Sequence, residues 1–197
     1  MMTKFEQLEM MTKKGNGYFI IAEAVKSGIS KQYISEFVKK KKMEKAAPGI
    51  YVQENVWVDE LYIISLKTNV VFSHETALFL HELTEREPNR VSLTIGKKYG
   101  GDRLRKRGYR VYTDTRDMFD VGKTTIETVH GNSVPVYDID RTICDIIKIK
   151  DKLDIQVFRF AMKEYTRRKD KNLHHLMQYA KMMKMENKVR LYTEVML

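Results

Sequence analysis

The sequence predicts an α+β protein in two parts, and three patterns along its 197 residues support this fold class. Two helix-like segments followed by a β-hairpin pattern occupy residues 1–54. Alternating β-type runs separated by turn residues cluster in the middle of the chain, and the residues after position 140 are helical in pattern. Strands followed by helices are typical of an α+β arrangement. We therefore expect a second domain, residues 55–197, with a small β-sheet and a helical bundle.

The two N-terminal segments have the spacing of a helix-turn-helix. The apolar-periodic segment Phe19–Val25 predicts a first helix, and a second helix is expected from Ser30, whose hydroxyl suits an N-cap. Ala24 is small where the two helices would cross, and Gly28 can adopt the positive φ of a tight turn. Ile34 would fill the angle between the helices.

A β-hairpin pattern follows the second helix. Met43–Ala46 and Ile50–Gln53 are strand-like runs joined by Pro48 and Gly49, residues that favour a tight turn. Residues 3–13 carry an apolar stripe that predicts a further helix before the pair. Helix, turn, helix and hairpin in this order predict a winged helix-turn-helix, a layout that binds duplex DNA.

The face of the second helix opposite its apolar residues is polar and basic. Such side chains suit phosphates and base edges better than a core. The residues expected to enter the major groove are Ser30, Lys31, Gln32, Tyr33 and Ser35. The residues expected to contact phosphates are Lys39, Lys40, Lys41, Lys42 and Lys45. The alternative is an ordinary helical pair used for packing or for protein contacts.

The composition agrees with a nucleic-acid ligand. The formal net charge is +10, which favours partners such as nucleic acid or an anionic surface. No apolar run reaches the roughly 18 residues that a membrane span needs, so no membrane contact is expected. The single cysteine, Cys144, excludes an intrachain disulfide and the common zinc patterns. These features predict a cytoplasmic protein.

Helices and strands of the second domain are predicted from periodicity and turn signals. Asp59 and Ser73 suit the N-caps of two helices. The expected helices are 59–66, 73–83, 102–107, 140–149, 154–168, 172–185 and a last segment that ends in RLYTEVML, with breaks at 170–172 and at Asn187. The expected strands are 90–95, 109–112, 124–129 and 133–137.

One stretch resembles a catalytic pattern. The loop 131–133, Gly-Asn-Ser, followed by Asp138 and Asp140, is similar to the loop and paired carboxylates of nucleotidyltransferases. The spacing leaves no room for the helix that such a site requires between loop and carboxylates. Asp138 or Asp140 is better explained as the N-cap of the next helix, on which Arg141 and Asp145 form an i,i+4 pair.

Neither the histidines nor the cysteine has the surroundings of a reactive site. His74 and His81 stand seven residues apart without a third ligand, which favours packing or hydrogen bonding over a metal. Cys144 lies among isoleucines and is expected to be a small buried apolar residue. We therefore expect no enzyme activity, no catalytic residue, no cofactor and no metal.

Beside these patterns, the sequence resembles the AbiEi family, the antitoxins of type IV abortive-infection toxin–antitoxin systems. The N-terminal part of the likeness is GYFIIAEAVKSGISKQYISEFVKK with PGIYV, which is similar to the family's winged helix. Its specific part is formed by VFSHETALFLHELTEREPNRVSLTI and by VPVYDIDRTICDIIK. The closing segments LMQYAKMMKM and LYTEVML are similar too, so the likeness covers nearly the whole chain.

The resemblance implies two roles. The N-terminal domain would bind inverted repeats in its own promoter and repress its operon. The C-terminal domain would neutralise a nucleotidyltransferase-like toxin without forming a stable complex. The sequence departs from the family where KKKKM replaces a glycine-led turn before the wing, which predicts a recognition helix that runs long.

Basic residues also crowd the second domain. They are Lys97, Lys98, Arg103, Arg105, Lys106, Arg107 and Arg110, and Arg167 and Arg168 at a helix end. They could form a surface for RNA, for DNA flanking the operator or for an acidic patch on a toxin. They could equally be a solvated surface without a partner.

Three other functions remain open on the sequence. One is a nucleic-acid-processing enzyme that uses the winged helix for targeting. Another is a plain winged-helix transcriptional regulator. The last is an inhibitor that forms a stable complex with a protein and contacts DNA only incidentally.

Overall fold

The structure is a computed structural model, which describes residues 2–98 and 100–194, with the backbone alone of Arg116. Its helices and small sheets give the α+β class that the sequence predicts. The chain divides into two compact units. The first contains the residues up to Lys67 together with 127–132, and the second contains 68–126 and the residues from Ser133 onward. The first unit thus extends beyond the expected boundary at residue 54 and includes a distant loop.

Among its described residues, the first unit contains four helices and one sheet. Its helices are α1 Lys4–Lys14, α2 Ile21–Lys26, α3 Lys31–Lys40 and α4 Glu60–Lys67. Its strands are β1 Tyr18–Ile20, β2 Glu44–Ala47 and β3 Ile50–Val52, in the antiparallel order β1-β3-β2. The predicted hairpin is therefore present as β2 and β3. The prediction that the helix begins at Phe19 is wrong, because Phe19 lies in β1 opposite Tyr51.

The core of the first unit lies where α1, α2 and α3 meet. Leu8 and Ala24 are fully buried, and Ile34 and Phe37 of α3 expose 2% and 1% of their surfaces. Ala24 and Ile34 thus hold the positions predicted from their spacing. Gly28 has a φ of +79°. This backbone conformation is unfavourable for residues that have a Cβ, so the glycine permits the tight turn.

A buried polar network joins the loop 127–132 to the rest of the first unit. Asp59 accepts hydrogen bonds from the Thr128 hydroxyl at 2.6 Å and from the Asn132 amide at 2.9 Å. Its other carboxylate oxygen accepts the Tyr62 N–H at 3.1 Å, which confirms Asp59 as the N-cap of α4. The Asp59 N–H in turn donates to the Tyr18 hydroxyl at 2.6 Å. These contacts fix a sequence-distant loop beside β1.

The second unit contains one five-stranded sheet, seven α-helices and one short 3-10 helix, Lys150–Lys152, among its described residues. Its strands are β4 Val71–Phe72, β5 Ser92–Gly96, β6 Arg110–Asp114, β7 Lys123–Glu127 and β8 Ser133–Tyr137, in the order β6-β5-β4-β8-β7. The helices are α5 His74–Leu80, α6 Asp102–Lys106, α7 Arg116–Phe119, α8 Ile139–Lys148, α9 Ile155–Arg167, α10 Leu173–Met182 and α11 Glu186–Glu194. Strand pairs β5–β6 and β4–β8 are parallel, and β4–β5 is antiparallel.

Helix α8 is the centre of the second unit. Nine of its ten residues are buried, and Ile143, Cys144, Ile146 and Ile147 are fully buried in the main core. The predicted break at Asn187 is wrong, because Asn187 lies in the first turn of α11 and the turn before it is made by Lys184 at a φ of +55°. The predicted last segment extends to residue 197, beyond the described residues. Among the described helices, none combines the length and apolar character of a membrane span.

Candidate nucleic-acid interface

Helix α3 is capped and oriented as the sequence predicts. The Ser30 hydroxyl accepts the Tyr33 N–H at 3.4 Å, so Ser30 is the N-cap. The buried residues Ile34 and Phe37 turn one side of the helix toward the core. The opposite side is therefore held outward by apolar packing rather than by its own polar residues.

Nearly all the predicted DNA-binding residues lie at the surface. Nine of them are exposed: Ser30, Lys31, Gln32, Ser35, Lys39, Lys40, Lys41, Lys42 and Lys45. Tyr33 differs, since it is half-buried and packs against the core of the first unit. Helix α3 thus presents a polar face whose exposed side chains are accessible to a ligand.

Glu36 also lies on this face and is not among the residues predicted from the sequence. Glu36 is exposed and lies one helical turn from both Gln32 and Lys40. A carboxylate there repels phosphates but can accept a hydrogen bond from the amino group of cytosine. Its spacing of four residues from Gln32 is the sequence signal that places it on this face.

The lysines at the end of α3 differ in whether they contact other side chains of the first unit. Lys41 forms an ion pair with Glu9, and the ammonium groups of Lys40 and Lys41 lie 4.8 and 5.5 Å from the ring centroid of Phe5. Lys39 and Lys42, by contrast, form no ion pair with any residue from 2–98 or 100–194. Because an intramolecular contact competes with a phosphate, Lys39 and Lys42 are the stronger candidates for phosphate binding.

The turn after α3 forms without a glycine. The Met43 N–H donates to the Val38 carbonyl at 3.1 Å and the Lys42 N–H donates to the Lys39 carbonyl at 3.1 Å, the two hydrogen bonds of a Schellman motif. Lys42 takes the left-handed position of this motif at a φ of +49°. The expectation that the helix runs long is therefore wrong: it ends at Lys40.

Lys42→Gly is expected to stabilise the first unit by about 0.5–1 kcal/mol, because glycine adopts the left-handed conformation without the clash of a Cβ. Urea unfolding followed by circular dichroism measures the change. The matched control is Lys39→Gly, which places glycine inside the helix and is expected to destabilise by about 1 kcal/mol. A loss of stability in Lys42→Gly would contradict this account of the turn.

The basic residues of the second unit form two groups: those that form an ion pair with a described residue and those that do not. Arg105 pairs with Asp102, Arg110 with Glu75, Arg167 with Glu164 and Arg168 with Asp170. The exposed residues without an ion pair to any described residue are Lys97, Lys98, Arg103, Lys106 and Arg107. The second set surrounds the connection from β5 to β6 and is the more available for an anionic partner.

The carboxylates near the start of α8 make structural contacts. Asp138 caps α8 by accepting the Arg141 N–H at 2.7 Å and also accepts the Tyr179 hydroxyl at 2.7 Å. Asp140 accepts the Tyr165 hydroxyl at 2.7 Å, and burial raises the pKa of its carboxyl. The Asp138 N-cap is therefore confirmed, and so is the Arg141–Asp145 pair at 3.2 Å. The carboxylates of Asp138 and Asp140 are thus held by hydrogen bonds within α8 and from tyrosines of neighbouring helices.

His74 and His81 each bind a neighbouring group of the fold. His74 has a φ of +51°, its Nδ1 lies 2.9 Å from the Ser73 hydroxyl, and its ring stacks on Tyr112 at 3.5 Å. Burial, together with the charge of Arg141, lowers the pKa of His74 to about 3, so its ring is neutral at physiological pH. His81 donates from Nε2 to the Tyr137 carbonyl at 2.7 Å.

Ser73 is predicted to cap a helix, and Cys144 is predicted to be buried. Ser73 stands at the N-cap of α5, but its side chain makes no capping hydrogen bond; its hydroxyl instead accepts one from the Thr94 hydroxyl at 2.8 Å. Cys144 is fully buried, and burial raises the pKa of its thiol to about 12. Within residues 2–98 and 100–194, no three acidic, histidine or cysteine side chains are grouped to hold a metal ion.

The chain has no match among known families by sequence comparison: no protein-family model and no curated protein sequence matches it.

Proposed function

We propose that the protein is an antitoxin of a type IV abortive-infection system, similar to the AbiEi family, and that α3 binds promoter DNA. The observation that carries the DNA-binding part is the outward polar face of α3, anchored through Ile34 and Phe37 and followed by exposed lysines. A helix about 10 Å wide with such a face fits the major groove of B-DNA.

The remaining elements of the first unit support a winged-helix interpretation. The order α1-β1-α2-α3-β2-β3 and the antiparallel β2–β3 hairpin correspond to the helices and wing of such domains. Lys45 is exposed on β2, where a wing can contact the phosphate backbone. In this proposal Gln32 and Ser35 contact base edges, and Lys39, Lys42 and Lys45 contact phosphates, on inverted repeats upstream of the operon.

The second unit is proposed to neutralise a nucleotidyltransferase-like toxin without a lasting complex. Two observations support this part. One is the resemblance of residues 71–95 and 134–148. The other is the set of basic residues around the β5–β6 connection that form no ion pair with a described residue. A cationic surface attracts either the toxin's nucleic-acid substrate or an acidic patch on the toxin. The protein is not proposed to be an enzyme, and it acts in the cytoplasm.

Co-expression with the adjacent gene tests the proposal. We expect a nucleotidyltransferase-like neighbour to stop growth when expressed alone and this protein to restore growth. Gln32→Ala should weaken repression of a promoter reporter and keep the rescue, since the two roles belong to different units. Repression without any rescue would instead identify a plain winged-helix regulator, and copurification with the toxin in one stable complex would identify a binding inhibitor.

A further inference from the structure

The second unit contains a cavity of about 500 Å³ at the ends of strands β5 and β6, and two of the basic residues around the β5–β6 connection lie in its wall. Its wall includes Lys97 and Lys98 after β5, Thr115 after β6 and Asn69 before β4, with Phe119 from α7. Its volume lies within the range of roughly 300–1,000 Å³ that is usual for small-molecule sites.

Sheet topology brings these residues together. The antiparallel register of Val71 with Thr94 places the residues before β4 beside the end of β5. The parallel register of Gly96 with Asp114 places the residues after β5 beside those after β6, and the Lys97 N–H donates to the Asp114 carbonyl at 2.7 Å. The carboxyl ends of adjacent parallel strands are where sheets of this kind commonly bind ligands.

Three polar residues of the cavity wall make no ion pair or capping hydrogen bond within the described part of the fold. Lys97 and Lys98 are exposed and form no ion pair with a described residue. Thr115 occupies the N-cap of α7, yet its hydroxyl makes no capping hydrogen bond. Two lysines and a threonine thus line one concavity, and neither lysine is engaged in an ion pair with a described residue.

The wall also has an apolar part. Phe119 exposes 6% of its surface and forms an apolar section of the wall, and the ammonium group of Lys123 lies 5.3 Å from its ring centroid. The acidic residue at the cavity, Asp120, lies 3.8 Å from Lys123, so its charge is partly balanced. The cavity thus combines a cationic edge with an apolar wall.

We propose that this cavity binds a nucleoside phosphate. Lys97 and Lys98 bind the phosphate groups, since ammonium groups are common phosphate ligands in proteins. The Thr115 hydroxyl and the Asn69 amide supply hydrogen bonds to the sugar or base, and Phe119 contacts an apolar surface of the base. Free phosphate shares only the first of these contacts.

Calorimetric titration of the full chain, freed of nucleic acid, with ADP, adenosine and inorganic phosphate tests this inference. We expect saturable one-to-one binding of ADP that is at least about tenfold tighter than that of phosphate or adenosine. Lys97→Gln/Lys98→Gln should weaken ADP binding by about tenfold or more, and Asn69→Ala/Thr115→Val should also weaken it.

The matched control is Arg103→Gln/Lys106→Gln, which removes the same charge from α6 outside the cavity and should leave ADP binding unchanged. Thermal unfolding of each variant verifies that it is folded. The proposal is overturned if ADP shows no saturable binding, if phosphate binds as tightly as ADP, or if the control weakens ADP binding as much as the cavity variant does. None of these outcomes depends on duplex binding by α3.

Discussion

Arg141→Ala is expected to lower the free energy of unfolding of the second unit by about 3–5 kcal/mol, the usual cost of removing one partner from a buried ion pair. Arg141 exposes 1% of its surface. Its guanidinium group binds Asp114 at 2.5 Å and Asp145 at 3.2 Å, and it donates to the carbonyls of Met118 and Val121 at 3.1 Å each. The variant would leave a buried carboxylate without its counter-charge.

The pH dependence of this loss distinguishes lost charge from lost packing. Burial, opposed by the charge of Arg141, raises the pKa of Asp145 from 3.8 to about 6. Between these two values the folded protein holds a proton that the unfolded chain has released, so this group lowers stability as the pH rises through that range. Without Arg141 the pKa of Asp145 rises further. The deficit of Arg141→Ala should therefore be largest near pH 7 and smaller near pH 5.

Urea unfolding at both pH values measures this prediction. Adding Asp145→Asn to Arg141→Ala should recover part of the loss, because the double variant buries no unpaired carboxylate. The exposed Arg103→Ala is the matched control and should change stability by less than about 0.5 kcal/mol. A deficit in Arg141→Ala that is the same at both pH values would show that packing, and not charge, determines it.

Gln32→Ala is expected to weaken binding to the operator by about 1–3 kcal/mol, or about 5- to 150-fold, if its amide makes a bidentate contact with adenine. Binding to unrelated duplex should change little, because Gln32 carries no charge and phosphate contacts dominate non-specific affinity. Fluorescence anisotropy with the promoter repeat and a scrambled duplex measures both affinities.

An exposed helical glutamine elsewhere provides the control for Gln32→Ala. Gln178→Ala in α10 should leave both affinities unchanged, since Gln178 lies in the second unit and bonds to His174. Equal weakening of operator and scrambled duplex by Gln32→Ala would assign Gln32 to backbone contacts. Unchanged binding to both would remove it from the interface.

The local features of the first unit were predictable because their causes are local. The Ser30 cap, Ala24, the turn at Gly28 and the Ile34 contact each depend on residues within one or two helical turns. Strand β1 was missed because its three residues continue directly into the apolar pattern of α2, and a run that short does not separate strand from helix.

Features that depend on distant residues were not predictable. The loop around Thr128 belongs to the first unit through Asp59, which lies 69 residues away. Arg110 and Arg103 lie in the same basic stretch of the sequence, and the sequence does not distinguish them. Only the fold shows that Arg110 pairs with Glu75, 35 residues away. The α8 stretch that carries the specific resemblance contains Arg141 and Cys144, and both are buried. These two residues of the motif therefore contribute to the packing of the fold.

The salt dependence of duplex binding tests the claim about α3 most directly. We expect log Kobs to fall linearly with log salt concentration, and the triple variant Lys39→Ala/Lys42→Ala/Lys45→Ala to reduce that slope by about 0.9 for each lysine removed. Lys41→Ala should reduce it less, because Lys41 already pairs with Glu9. A slope and affinity that are the same in the triple variant and the wild-type protein would contradict the assignment of α3 and its flanking lysines as the DNA-binding surface.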